Sequence, residues 1–251
     1  MNRAGKQLRV GFLLFAAALF FGVPKSHAAL IDLGPGSFTP LAPVITFSEV
    51  PLGTVDPVYS FLAIPGLGNV DVSFGGYFVG QAVCVACFPV TLADTTPTGP
   101  LALDPAAPDT FTGPDAAFGA TPPILSGTPL FNGVIAVHFS VPVAAVGLKG
   151  GFFDAVGSTT IEAYDAAGVS LGSIVNTVTG FEFYGLADSG GANVISGISF
   201  YITGPEPAGF EIDDLTFGSA EQLAPEPGSL MLLSAGLLGL AGYYRGRRKE
   251  K

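Results

Sequence analysis

The stretch TTIEAYDAAGVSLGSIVN, from Thr159 to Asn176, decides the fold class. Its two halves, Thr159–Tyr164 and Val169–Asn176, are short runs rich in β-branched and apolar residues, and Asp165-Ala-Ala-Gly168 joins them. Residues of these types favour strands, and Gly168 supplies the positive φ that a tight turn needs. The stretch therefore predicts a β-hairpin.

Similar runs recur on both sides of this hairpin and predict further strands at Val44–Phe47, Val70–Gln81, Gly133–Val141, Ala144–Phe153, Gly180–Tyr184, Val194–Ile202 and Phe210–Phe217. Many short strands separated by turn residues indicate a sandwich or a barrel. We expect residues 29–219 to form one exported all-β domain, a β-sandwich. Segment 89–129 is rich in Pro and Thr, and because proline cannot donate to a strand ladder we expect a long loop there.

The N-terminus has the layout of a secretory signal peptide. Basic residues in the first nine positions precede an apolar run, Val10–Val23, and Ser26-His27-Ala28 places small residues where signal peptidase reads. We expect residues 1–28 to form a signal-peptide helix that signal peptidase removes between Ala28 and Ala29. The alternative is an uncleaved N-terminal anchor, for which the apolar run is short.

The C-terminus has the pattern of a second targeting signal. Pro225-Glu226-Pro227 precedes an uncharged apolar run, Leu230–Tyr244, and a basic end, Arg245–Lys251. We expect a stalk at 220–229, a single transmembrane helix at 230–244, and a basic tail at 245–251 that stays in the cytoplasm. A plain tail anchor behind a proline-rich stalk is the alternative.

Pro225-Glu226-Pro227, the apolar run, and Arg245, Arg247 and Arg248 in this order resemble the PEP-CTERM sorting signal of Gram-negative bacteria. The resemblance implies processing by exosortase, a membrane-embedded cysteine protease or transpeptidase, and an association with exopolysaccharide and biofilm. It implies export across the inner membrane, transient membrane anchoring, and a final place in the cell envelope or outside the cell.

A second Pro-Glu-Pro tripeptide, at 205–207, is followed by Ala208-Gly209-Phe210-Glu211 and by no apolar run. The tripeptide alone is therefore not the signal. We expect Glu226→Ala to block processing and Glu206→Ala to leave it intact.

Four segments of the exported domain are similar to the jelly-roll, galactose-binding-like domains that often precede such signals: Gly150–Asp154, Ile161–Asp165, Ala167–Gly172 and Phe210–Phe217. This resemblance implies a jelly-roll-like sandwich. It also raises an alternative function, a carbohydrate-binding module with a polysaccharide partner, held at the cell surface by the C-terminal helix.

The charge of the exported segment limits its partners. Residues 29–224 contain one basic side chain, Lys149, against eighteen Asp and Glu, a formal charge of −17. Nucleic-acid binding depends on Lys and Arg, so the composition excludes a nucleic-acid partner. Cations, basic partners and neutral glycans remain open, as does the simpler reading that the acids keep the surface soluble.

The two cysteines, Cys84 and Cys87, are three positions apart. No second pair is present to complete a zinc site, and an exported protein meets an oxidising compartment. We expect a local disulfide. A thioredoxin-like redox motif would need a helix beginning at the first cysteine, whereas the surrounding residues read as strand and turn.

No catalytic residues are predicted, and we expect no enzyme activity. Gly168-Val-Ser170-Leu-Gly172 matches the spacing of a nucleophile elbow, but that motif needs a strand–turn–helix setting and an acid and a histidine after the serine. His138 precedes Ser170 and lies in a predicted strand.

Asp213 and Asp214 are adjacent strand residues, which point to opposite faces and cannot form a glycosidase pair. One of them could join Asp154 or Glu162 around a structural Ca²⁺. The alternative is that these acids lie at exposed strand ends. We expect no other cofactor.

Overall fold

Antiparallel strands form almost all of the regular structure in the computed structural model, which describes residues 29–84, 86–114, 123–224 and 236–237. The strands in these ranges are β1 (Leu30–Leu33), β2 (Val44–Ile45), β3 (Val58–Ile64), β4 (Gly68–Gly75), β5 (Ala82–Val83), β6 (Leu92–Asp94), β7 (Thr110–Gly113), β8 (Ile124–Gly127), β9 (Ile135–Val143), β10 (Ala145–Phe153), β11 (Thr159–Tyr164), β12 (Ser170–Val175), β13 (Gly180–Asp188), β14 (Ile195–Ile202) and β15 (Glu211–Gly218). A short 3₁₀ helix, Ala220–Gln222, follows β15.

The strands form two large sheets. The first sheet has the order β1-β13-β10-β15-β8-β7, with β2 also pairing with β15. The second sheet has the order β12-β11-β14-β9-β4-β3, and β5 and β6 form a separate hairpin. Sequence neighbours are often far apart within a sheet, so most of the pairing is long-range. The predicted all-β sandwich is confirmed.

Apolar side chains from both sheets meet in one core. Phe139 of β9, in the second sheet, packs on Phe217 of β15, in the first sheet, with ring centroids 5.3 Å apart. Phe200 of β14 packs in the same way on Phe153 of β10 and on Phe210. Such aromatic contacts contribute packing energy beyond their buried area, so the rings hold the two layers together.

The hairpin that the sequence indicated is formed by β11 and β12, which pair antiparallel. The carboxylate of Asp165 accepts hydrogen bonds from the N–H groups of Ala167 and Val169, at 2.9 and 2.8 Å. Gly168 has a φ of 80°, a conformation that costs glycine little. The turn residues therefore act as predicted.

The expectation of a loop over 89–129 is wrong in part. Strands β6, β7 and β8 lie in this segment, and β8 joins the first sheet through the pair Leu125–Ile212. None of the three strands contains proline. The prolines lie between these strands. Proline is therefore absent from the strand ladders, as expected, but its presence in the segment does not make the whole segment a loop.

Candidate functional site

The C-terminal end of the sandwich is anchored by the 3₁₀ helix Ala220–Gln222. Ser219 precedes this helix and accepts a hydrogen bond from the N–H of Glu221 at 3.1 Å. The N–H of Ser219 donates to the side-chain oxygen of Gln222 at 2.8 Å, which completes a capping box. Gln222 is buried. Residues 219–222 are therefore fixed against the sandwich.

The next residues pair with a segment near the N-terminus of the domain. The N–H of Thr39 donates to the carbonyl of Gln222 at 2.7 Å, and the N–H of Ala224 donates to the carbonyl of Ser37 at 2.8 Å. Phe38 and Leu223 lie opposite each other as an antiparallel bridge. We call this contact, between residues 37–39 and 222–224, the exit pair.

Apolar packing supports the exit pair. Phe38 and Leu223 pack against a small buried cluster of Leu33, Ala145 and Ala187 on the first sheet. The Phe38 ring also meets the Phe183 ring edge-on, with centroids 6.4 Å apart. Main-chain bonds and side-chain burial therefore act together at the exit.

The exit pair corrects the predicted stalk at 220–229. Residues 220–224 belong to the folded domain, because the capping box and the exit pair hold them there. The polar, alanine-containing sequence of this segment has no strand or helix period, and its partner is about 185 residues away in the sequence. No local pattern could have revealed Phe38 as a functional neighbour of the C-terminal signal.

The tripeptide at 205–207 is part of the fold. Glu206 is completely buried. Its carboxylate accepts hydrogen bonds from the N–H of Asp154, at 2.8 and 3.1 Å, and from the hydroxyl of Ser158. Burial raises the pKa of Glu206, while these hydrogen bonds oppose the shift. A tripeptide held in this way is not available to a processing enzyme.

Ala29, the residue that the predicted signal-peptide cut would leave first, is bonded to the sandwich. The carbonyl of Ala29 accepts a hydrogen bond from the N–H of Ser189 at 3.0 Å, and Leu30 opens β1. Ala28 and the rest of residues 1–28 lie outside the described residues. The cut between Ala28 and Ala29 stays a prediction.

The remaining predicted elements of the C-terminal signal also lie outside the described residues: Pro225, Glu226, Pro227, Arg245, Arg247 and Arg248, together with all but two residues of the predicted helix at 230–244. In the part of the chain that the structure describes, no helix combines the length and the hydropathy needed to cross a bilayer. The predicted transmembrane helix stays a prediction.

Cys84 and Cys87 form a disulfide. They lie just beyond β5, where the N–H of Cys84 donates to the carbonyl of Thr91 across the β5–β6 hairpin at 2.9 Å. The N–H of Cys87 donates to the carbonyl of Cys84 at 3.1 Å, which closes the turn. The disulfide thus spans a turn, and no helix begins at Cys84.

Asp213 and Asp214 lie in β15 beside Lys149 of β10. Asp214 has a φ of 47° at a shift in the β10–β15 register, so the simple alternation of faces does not apply there. Its carboxylate is 2.5 Å from the Lys149 amine. Burial raises the pKa of Asp213 to about 6, with repulsion from Asp214 and Glu49 adding to the shift. The N–H of Asp214 and the charge of Lys149 oppose it.

The acids named as calcium candidates are not brought together. Glu162 lies in β11 of the second sheet and accepts hydrogen bonds from Ser170 and Tyr201. Asp154 binds the N–H of Ala208, and Asp213 lies in the first sheet. Within the described ranges, no three His, Cys, Asp or Glu side chains are grouped so that they could hold a metal ion.

Ser170 and His138 are also far apart. Strands β11 and β14 lie between β12, which carries Ser170, and β9, which carries His138. Three strand spacings of about 4.8 Å separate them by roughly 14 Å. Burial lowers the pKa of His138, opposed by a hydrogen bond with the Leu101 backbone. The serine and the histidine cannot act together as nucleophile and base.

A small cavity opens where the edge strands β1 and β12 of the two sheets approach each other. Its volume is about 210 Å³, and β13 and the Gly34-Pro35 turn complete its walls. Its lining includes two acidic residues, Asp32 and Glu182, and two aromatic residues, Phe183 and Tyr184. Acidic and aromatic residues therefore both border the cavity.

Comparison with known proteins accounts for the C-terminus alone. The PEP-CTERM protein-sorting motif matches residues 223–249. No curated protein and no solved structure matches the chain. The matched residues begin at Leu223, inside the exit pair, and include both the Pro225-Glu226-Pro227 tripeptide and the arginines that follow the apolar run. The chain therefore carries a PEP-CTERM sorting motif, which marks it as an exported protein sorted by exosortase.

Proposed function

We propose that this chain is a non-catalytic protein of the cell envelope or extracellular matrix, cleaved near Pro227 by an exosortase-like membrane enzyme and associated with exopolysaccharide or biofilm. The observation that carries the proposal is the position of the sorting motif. The folded domain holds the chain up to Ala224, and the tripeptide begins at the next residue. A cut near Pro227 therefore releases the whole sandwich with only a few residues attached after Ala224.

In this proposal, residues 230–244 hold the chain in the membrane before the cut. Signal peptidase removes residues 1–28. The domain itself is suited to the outside of the cell. It contains a disulfide, Cys84–Cys87, and disulfides persist in oxidising compartments. Its strong negative charge makes a neutral or cation-bridged polysaccharide a better partner than an acidic polymer.

The test is the mass of the C-terminal peptide of the mature protein, purified from the envelope and the medium of a strain that has exosortase. We expect an end within residues 225–229, with or without an added group. An intact end at Lys251 in the membrane fraction contradicts cleavage. Loss of exosortase should leave the full-length form in the membrane.

Variants locate the signal. Glu226→Ala should prevent cleavage. Glu206→Ala is a poor control, because Glu206 is buried and holds two loops together. Glu221→Ala is the better control, since Glu221 is exposed and lies five residues before Glu226, outside the matched motif. Equal processing of the Glu226 and Glu221 variants argues against recognition of the tripeptide.

A carbohydrate-binding module is the second candidate, and the cavity between β1 and β12 favours it. At about 210 Å³ it is smaller than the ~300–1,000 Å³ of sites for drug-sized ligands, so one sugar ring is a suitable occupant. Carboxylates accept hydrogen bonds from sugar hydroxyls, and aromatic rings pack on the C–H face of the ring. Glu182 is held in place by the N–H and hydroxyl of Thr177, at 2.7 and 2.5 Å.

A glycan array with and without a chelator tests this second function. Binding that survives the chelator and is lost in Asp32→Ala supports the cavity. Asp71→Ala is the control, because Asp71 is also exposed but lies on β4 of the other sheet. The absence of binding in both conditions removes the carbohydrate-binding function.

A further inference from the structure

The sorting motif and the folded domain overlap. The match begins at Leu223, yet Leu223 and Ala224 are held by the exit pair. From Ala224 to Glu226 the chain can span at most about 7 Å, and to Leu230 about 20 Å. An enzyme that reads the tripeptide therefore works directly against the surface of the sandwich.

The backbone at the exit is already engaged. Leu223 is extended, with φ −80° and ψ 134°, and lies opposite Phe38. Proteins that bind an extended peptide often add it as a strand to the edge of one of their own sheets, through main-chain hydrogen bonds. The N–H of Ala224 donates to Ser37 and cannot donate to an enzyme at the same time, and the N–H of Thr39 already occupies the same edge at the Gln222 carbonyl.

We propose that segment Ser37–Thr39 regulates processing: the exit pair must open before residues 222–224 can enter the cleft of the processing enzyme, which takes the place of Phe38 as their partner. This inference rests on the proposed cleavage near Pro227. Phe38 and Thr39 are then positioning residues for a cut that occurs about 185 positions away in the sequence. The stability of the exit pair sets the fraction of molecules that can be cut.

The size of the contact fits such a role. Two main-chain hydrogen bonds and two partly buried side chains, Phe38 and Leu223, hold the exit pair. Its opening leaves β1 and β15 and their ladders in place, because residues 37–39 and 222–224 lie outside the strands of both sheets. A contact of this size opens far more often than the whole sandwich unfolds.

The first two variants change only the partner segment, so the sorting motif itself is untouched. Thr39→Pro removes the N–H that donates to Gln222, and Phe38→Ala removes the ring that packs with Leu223. Loss of one net hydrogen bond corresponds to a roughly three- to tenfold higher open fraction. We expect the initial rate of cleavage, followed in a pulse-chase with the full chain and exosortase, to rise by about that factor in Thr39→Pro, and to rise in Phe38→Ala because its ring no longer packs with Leu223.

Phe88→Ala is the matched control, because Phe88 is 78% exposed on the β5–β6 hairpin and does not belong to the exit pair. The opposite change is a cystine across the bridge, Phe38→Cys with Leu223→Cys. We expect the oxidised form to resist cleavage and Leu223→Cys alone to be cut. Thermal unfolding of each purified variant verifies that the sandwich is intact.

Cleavage of folded Phe38→Ala and Thr39→Pro at the rate of the unchanged chain overturns the inference. So does cleavage of the cystine-bridged form at that rate. Both outcomes leave the proposed function standing, because the unchanged chain is still cut. A chain that is never cut in the presence of exosortase contradicts the proposed function instead.

Discussion

The carboxylate of Glu206 accepts two hydrogen bonds from the N–H of Asp154, at 2.8 and 3.1 Å, and the carboxylate of Asp154 accepts one from the N–H of Ala208 at 2.8 Å. Each acid therefore holds the loop that carries the other. The hydroxyl of Ser158 donates to Glu206 as well. Glu206 is completely buried, so the loops after β10 and β14 depend on it.

Glu206→Ala should lower the free energy of unfolding by about 2–4 kcal/mol, because it leaves buried donors without an acceptor. Glu206→Gln should cost less than half of that, since it keeps one acceptor oxygen and resembles the protonated acid that burial favours. Chemical denaturation at pH 7 measures both. The exposed Glu221→Ala should change stability by less than about 0.5 kcal/mol, and an equal loss in all three variants contradicts the assignment.

The domain should become more stable as the pH falls from 7 to 4, and Asp213 is the main reason. Its pKa is about 6 in the folded chain, compared with about 3.9 when unfolded. The folded state therefore binds the proton more tightly. This stabilisation is fully present below the pKa of Asp213 in the unfolded chain, and it is lost as the pH rises through about 6. The difference between the two pKa values corresponds to at most about 3 kcal/mol of unfolding free energy.

Asp213→Asn isolates this contribution. The amide cannot ionise, so the variant should gain stability over the unchanged chain at pH 7 and show a flatter curve between pH 4 and pH 6.5. The raised pKa of Glu206 acts in the same direction and should remain. Melting temperatures across this pH range are the measurement, and an unchanged slope in Asp213→Asn rules out Asp213 as the source.

The local patterns of the sequence predict strands well and pairings poorly. All nine predicted strands overlap observed ones, and the hairpin of β11 and β12 is correct, because alternation and turn chemistry act over a few residues. Strands β6, β7 and β8 were missed because the prolines beside them dominated the composition, and β1, β3 and β5 were not predicted either. The bridge of Phe38 and Leu223 leaves no local trace. The Glu206 clamp was equally invisible: the sequence shows that no apolar run follows that tripeptide, but not that its glutamate is buried.

The disulfide between Cys84 and Cys87 should contribute modestly to stability. A loop closed over so few residues removes little entropy from the unfolded chain, about 2 kcal/mol by the chain-entropy estimate. Cys84→Ser with Cys87→Ser should therefore lower the free energy of unfolding by no more than that and leave the two large sheets intact, because β5 and β6 form a separate hairpin. Loss of the cooperative transition in this variant contradicts the prediction.

Gly209 and Gly53 allow backbone strain to be separated from crowding. Both have a left-handed backbone, with φ of 79° and 80°. A side chain at Gly53 would meet no atom within 4 Å, whereas one at Gly209 would overlap the carbonyl oxygen of Phe131. That carbonyl accepts a hydrogen bond from the N–H of Phe210 at 2.6 Å, so it cannot move away without cost.

Gly53→Ala should lower the free energy of unfolding by about 1–2 kcal/mol, the cost of left-handed backbone. Gly209→Ala should lower it by at least about 3 kcal/mol, because the overlap adds to that cost. Denaturant unfolding of the two variants side by side decides the matter: equal losses mean that the loop after β14 relaxes freely, which the clamp by Glu206 argues against.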